Sequence, residues 1–161
     1  MAVEAVTATV YVEAPPERVY EYFTKPEAIV RWMGDYALLE PTPHGRFTLA
    51  VRGTPVRGRY LELEPPHRLL FSWGYAGSES LPPGASNVEV RLLAEGTGTR
   101  VELEHRDLPD EESRPHISGW THYLRRLQDA ASGRIPGADP GMPSGEPATG
   151  ERAQQRRRNA R

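Results

Sequence analysis

Six short runs of alternating apolar and polar residues, each closed by turn-formers and followed by one long amphipathic stretch, constrain this chain most. The runs are Tyr36 to Leu39, Arg46 to Val51, Val56 to Glu64, Leu69 to Trp73, Asn87 to Leu93 and Arg100 to Arg106. Between them lie Pro43-His44-Gly45, Gly53-Thr54-Pro55, Pro65-Pro66, Pro82-Pro83-Gly84 and Gly96-Thr97-Gly98. Parallel neighbours need long crossovers, so strands this closely spaced pair antiparallel. A seventh strand precedes them, with Val6, Ala8, Val10 and Val12 on one side. Phe47, Leu49 and Val51 share a face, as do Leu69, Phe71 and Trp73, then Val88, Val90 and Leu92, then Val101, Leu103 and His105. One face of the sheet is therefore apolar and needs a cover.

The cover is the final amphipathic stretch. Ser113 reads as a helix cap and Pro115 as a first-turn proline, with Ile117, Trp120, Leu124, Leu127 and Ala131 on one stripe. Gly133 stands where a helix ends in a left-handed residue. Near the other end, Pro15-Pro16 stops the first strand and Glu17 to Phe23 forms a short helix. Thr24-Lys25-Pro26-Glu27 fits a capping box for a second short helix through Ile29 and Trp32 to Gly34. The expected architecture is α+β: a seven-stranded antiparallel sheet wrapped around a long C-terminal helix, with two short helices after strand one.

At 161 residues the chain holds one such domain, assigned to residues 1–133. Residues 134–161 contain four Pro, four Gly and no aromatic, and are expected to be a disordered tail with a basic end at Arg156-Arg157-Arg158. Charge follows the same division, net −5 for the domain and +3 for the tail. That balance argues against nucleic-acid binding through the folded domain. Cysteine is absent, which excludes disulfides, thiolate metal sites and a cysteine nucleophile and suits a reducing cytoplasm. No apolar run reaches the ~18 residues of a spanning helix, and the start does not read as a signal peptide.

Four stretches carry a resemblance: Ala14-Pro15-Pro16-Glu17-Arg18-Val19-Tyr20, Glu64-Pro65-Pro66-His67-Arg68-Leu69-Leu70-Phe71-Ser72-Trp73, Gly98-Thr99-Arg100-Val101-Glu102-Leu103, and His116-Ile117-Ser118-Gly119-Trp120 with Leu124 and Leu127. Together they resemble the bacterial relatives of the activator of heat-shock protein 90 ATPase, within the START-like (SRPBCC) helix-grip superfamily. The resemblance implies a cavity between sheet and long helix, used across that superfamily for lipids, polyketides and other apolar ligands. It does not imply one activity.

Three functions follow as expectations. The first is binding of a hydrophobic or aromatic small molecule by Trp32, Tyr60, Phe71, Trp73, His105, Trp120 and Tyr123. The same rings could instead fill the space. The second is an enzyme of cyclase, dehydratase or hydrolase type, with His105 and Asp107 as weak catalytic candidates and Tyr60 or Tyr123 as proton donors. The third, from the family resemblance, is a chaperone co-factor that stimulates heat-shock protein 90. The expected state is monomer or homodimer, with no cofactor and no metal. His116 and His122 lie six apart on a helix, about 240° around it, and cannot chelate one ion. His44 and His67 fall in turns. Arg57, Arg59 and Arg91, alternating with Glu62, Glu64 and Glu89, are expected to form ordinary ion pairs on the outer face.

Overall fold

The computed structural model describes residues 5–139. The disorder expected for 140–161, including the three-arginine cluster, lies outside the described residues. In chain order the elements are β1 (Val6–Val12), α1 (Pro16–Thr24), α2 (Pro26–Ile29), β2 (Tyr36–Leu39), β3 (Arg46–Val51), β4 (Thr54–Glu64), β5 (Arg68–Trp73), β6 (Ser86–Glu95), β7 (Gly98–Arg106) and α3 (Asp110–Ala131).

The sheet is antiparallel throughout, in the order β1-β7-β6-β5-β4-β3-β2. Consecutive strands from β2 to β7 are neighbours, and β1 closes the far edge on β7 with Val10 opposite Val101. The apolar alternation of the sequence becomes the inner face: Phe47, Leu49, Leu69, Phe71, Val88, Val90, Leu92, Val101, Leu103 and His105 are all buried. Against it α3 lays Trp120, Tyr123, Leu124, Leu127, Ala130 and Ala131, also buried. Thirty or so apolar side chains share this one core, among them Val19, Phe23, Ile29 and Trp32 of the α1–α2 region.

Four details depart from the sequence reading. First, α3 begins a turn before Ser113. Asp107 takes a left-handed backbone (φ 69), Pro109 occupies the N-cap, and Asp110, Glu111 and Glu112 fill the first turn, where carboxylates meet the helix dipole favourably. Ser113 thus lies inside the helix, and so does Pro115, whose missing amide leaves the Glu111 carbonyl without its i+4 donor. Second, Ile117 is half exposed, 49%, and not part of the buried stripe. Third, Thr24 does not cap α2; its hydroxyl donates back to the Tyr20 carbonyl, and Lys25 is the cap residue. Helix α2 is one turn long, so Trp32 follows it in a non-helical turn.

The fourth concerns the outer sheet face. Glu89 is 4% exposed and takes hydrogen bonds from Arg68 and Arg106, with Arg91 at 3.3 Å. Burial alone would raise its pKa, but the two arginine hydrogen bonds win and hold it below the usual carboxylate value. Among the described residues Arg57 and Arg59 make no such pairs; they donate to the carbonyls of Leu49 and Val56 and of His44. A bulge between Tyr60 and Glu62 switches the face presented by odd and even positions of β4 and so brings Glu62 and Glu64 to the outer face, where both pair with Arg68.

Candidate functional site

Where β5 leaves the sheet and α3 begins, the interior becomes a seam of aromatic rings and imidazoles. Phe47 stacks on Phe71 at 4.1 Å between centroids, and Trp73 meets Trp120 at 5.2 Å. His105 lies 5.8 Å from the Trp73 ring and 5.0 Å from His116, edge to face in both cases. Strand β5 supplies Phe71 and Trp73 by its two-residue period. β7 supplies His105 two residues beyond Leu103, and α3 supplies His116 and Trp120 one turn apart.

Two hydrogen-bonded chains run through this seam, and donor chemistry fixes the protons of the first. Indole N–H can only donate, so Trp120 Nε1 donates to His105 Nδ1 at 3.0 Å and the proton of His105 sits on Nε2. That Nε2–H donates to Ser86 Oγ at 2.8 Å, and Ser86 in turn donates to the Trp73 carbonyl at 2.9 Å. In the second chain His116 Nδ1 faces the Glu112 carbonyl at 2.7 Å and must carry the hydrogen. Its Nε2 lies 2.9 Å from the Tyr75 hydroxyl, which accepts from Trp73 Nε1 at 3.2 Å. Burial disfavours the charged form of both imidazoles. Burial lowers the pKa of His105 well below its ordinary value, with the neighbouring His116 adding to the effect. Burial lowers that of His116 too, against an opposing pull from the carbonyl and carboxylate of Glu112.

The remaining candidates are distributed around this seam. Tyr60 is buried and donates to the Phe23 carbonyl at 2.7 Å; burial raises its pKa, so its hydroxyl stays protonated. Trp32 donates to the Tyr22 carbonyl at 2.9 Å and packs on Phe23, apart from Trp73 and Trp120. Tyr123 points its hydroxyl toward Asp139 at 2.6 Å. Asp107 is exposed and accepts from Asn87 at 2.8 Å, so it does not join His105, whose two ring nitrogens are already committed to Trp120 and Ser86. His116 and His122 sit in different clusters, and no group of three metal-ligating side chains occurs among the described residues. His44 and His67 are exposed.

Sequence reasoning passed over Tyr75, Ser86 and Ser113. Tyr75 and Ser86 flank the loop that joins β5 to β6, where no periodicity marks a side chain as inward. Ser113 looked like a cap. Its Oγ is buried without a partner, on the same side of α3 as His116 and Trp120, three and seven residues on. The loop is tied to α3 at Tyr75–His116 and at Ser80–Glu112, 3.1 Å. A cavity of about 180 Å³ lies elsewhere, lined on the outer sheet side by Thr7, Thr9, Glu89, Arg91, Glu102 and Glu104 together with Leu103.

The chain matches the family model described as activator of Hsp90 ATPase homolog 1-like protein over residues 13–132. Among solved structures, an AHSA1-like protein from Rhizobium etli is 45% identical, with a TM-score of 0.68 over 84% of this chain and 86% of its own. CalU16 from Micromonospora echinospora is 32% identical, TM-score 0.65, covering 80% of this chain and 76% of its own. DynU16, from the dynemicin biosynthetic locus, is 22% identical with a TM-score of 0.71 over 83% of this chain and 49% of its own, a likeness of fold alone. No curated protein matches. On the family match, which spans most of its length, the chain belongs to the activator of Hsp90 ATPase homolog 1-like family.

Proposed function

We propose that the protein binds a small, uncharged, aromatic or apolar molecule in the seam between β5 and α3. The observation that supports this best is the chemistry of the seam. Trp73, Trp120, Phe71, His105 and His116 meet there ring against ring, with one carboxylate, that of Glu112, at the His116 edge 3.7 Å from Nδ1, and on the same side of α3 the Ser113 hydroxyl is buried without a partner. Desolvating a charge there would cost far more than it returned, whereas a flat neutral ligand replaces ring-to-ring contacts and gives Ser113 a hydrogen bond. Entry would be at the β5–β6 loop, whose hold on α3 comes through Tyr75 and Ser80. Trp73, Trp120, His105 and Phe71 would line the ligand. Trp32, Tyr60 and Tyr123 would support it from farther off.

The test is a titration of the full chain with 2-naphthol, N-phenyl-1-naphthylamine and a fatty acid, read by tryptophan fluorescence and by melting temperature. Saturable quenching by the neutral aromatics is expected, reduced by about tenfold in affinity, or ~1.4 kcal/mol, in Ser113→Ala. No saturable response to any of them would refute the reading.

A second reading, stimulation of the heat-shock protein 90 ATPase, is favoured by the family match alone. An ATPase assay with the chaperone from the same cell decides it, and unchanged turnover at high micromolar protein would exclude it.

A further inference from the structure

In the loop that joins β5 to β6, one side chain stands apart from its neighbours. Glu79, Ser80, Pro82 and Pro83 are exposed, yet Leu81 in their midst is 0% exposed and belongs to the core. The segment that carries it, residues 78–83, lies between Gly77 and Gly84, which both take left-handed backbone at φ 83 and φ 77. Among the described residues a side chain at Gly77 would meet nothing within 4 Å, and one at Gly84 only the Ser72 hydroxyl at 3.9 Å.

We propose that residues 78–83 form a flap hinged at Gly77 and Gly84, whose Leu81 plugs the mouth of the β5–α3 seam and leaves the core when a ligand enters, a regulation that rests on the ligand reading of that seam.

Three observations support this. The first is position. Ser80 donates to Glu112 at 3.1 Å, and the Leu81 carbonyl accepts from the Tyr75 N–H at 2.9 Å, so Leu81 is held between the end of β5 and the first turn of α3. Those same ends carry Trp73, Ser113 and His116, and a buried side chain that enters the core between them enters at the seam.

The second is mechanical. Pro82 and Pro83 lock two consecutive φ angles, so Leu81 rides on a stiff arm that pivots where glycine backbone is free to turn. Its own N–H bonds within the flap, to Ser78 Oγ at 3.0 Å, and that bond travels with it. The Ser80–Glu112 bond is exposed, so water replaces it on opening. The arm closes on Gly74, which approaches it so tightly that a Cβ there would sit 1.9 Å from the Pro82 carbonyl oxygen.

The third is room. Trp73 already packs on Trp120 at 5.2 Å and on His105 at 5.8 Å, so an aromatic guest needs space that some side chain gives up. The rings are fixed to strand ladders and to α3, whereas Leu81 is carried between two hinges. A fused two-ring molecule buries more apolar surface than one leucine, which favours the exchange. The fraction of time the flap is open then scales the apparent affinity.

The full chain is titrated with 2-naphthol by tryptophan fluorescence as the parent, as Leu81→Ala, as Gly74→Ala and as Ile29→Ala, which opens a core cavity at α2 instead. Leu81→Val takes the place of Leu81→Ala if the larger truncation does not fold. About tenfold tighter binding, through faster association, is expected in the Leu81 and Gly74 variants and not in Ile29→Ala. In the ligand-free parent the Tyr75 and Leu81 amides should exchange with solvent at least about tenfold faster than those of Val88 and Val90 in the sheet. Binding to the parent with no gain in the Leu81 and Gly74 variants would overturn the flap and leave the seam reading intact, while no binding to any of the four proteins would overturn both. An equal gain in Ile29→Ala, or flap amides that exchange no faster than those of the sheet, would overturn the flap as well.

Discussion

Two imidazoles buried 5.0 Å apart make the protein sensitive to acid in a direction that can be worked out. His105 and His116 both titrate below their ordinary value of 6.5 in the folded chain, chiefly through burial. The unfolded chain therefore binds more protons as pH falls through about 6.5, and folding stability drops from there toward the lower folded values. Above 6.5 the contribution is complete. Each group can account for at most about 1.4 kcal/mol per pH unit. Urea denaturation at pH 7.5, 6.5 and 5.5 should show this decline, and His116→Gln should flatten it. At Ser113 the expectation is opposite in sign. Replacing a buried, unpartnered hydroxyl by Ala inside a helix should stabilise by about 0.5–1.5 kcal/mol, from relief of desolvation and better helix propensity, read as a higher melting temperature. A loss of ligand affinity in the same variant would mark the hydroxyl as a binding group kept at a cost in stability.

At the scale of elements, close approach matters more than pattern. Gly58 on β4 faces β5 so tightly that a Cβ would sit 1.8 Å from the Ser72 carbonyl oxygen. No rotamer escapes a backbone atom, so Gly58→Ala must separate the strands. A loss of about 3 kcal/mol or more is expected by urea denaturation, at the upper end of overpacking effects. Glu89 makes the same point for charge. Its carboxylate is held below the usual pKa by Arg68 and Arg106, so its contribution is present above about 4.5 and lost as pH falls through the folded value. Glu89→Gln should cost about 1–3 kcal/mol at pH 7 and little once the parent is protonated, which paired denaturation curves at pH 7 and pH 3 would check. The alternation of β3, β5, β6 and β7 was legible because a strand's period of two is a local property. The burial of Glu89 was not, because it depends on arginines from three strands meeting over one carboxylate. The start of α3 misled for a related reason: Ser113 has cap chemistry, but the chain had already turned at Asp107 and Pro109.

For the molecule as a whole, order of elements and resemblance together led to one sheet around one helix, and the strand order and family match agree with that. The inward phase of His105 was also readable. Its partners were not, since Ser86 and Trp120 come from elements 19 and 15 residues away in sequence and only the closed sheet brings them to its two nitrogens. The segment after Gly133 shows the limit of composition as a guide. It offers no apolar stripe, yet Asp139 and Gly137 hydrogen-bond to side chains of α3.

The central claim, that the β5–α3 seam receives an uncharged aromatic ligand, is tested most directly by the three tryptophan indole N–H resonances during titration with 2-naphthol. Each is anchored differently: Trp120 on His105, Trp73 on Tyr75, and Trp32 on the Tyr22 carbonyl away from the seam. Saturable shifts of Trp73 and Trp120 with Trp32 unmoved are predicted. Shifts confined to Trp32, or none at saturating ligand, would contradict the account.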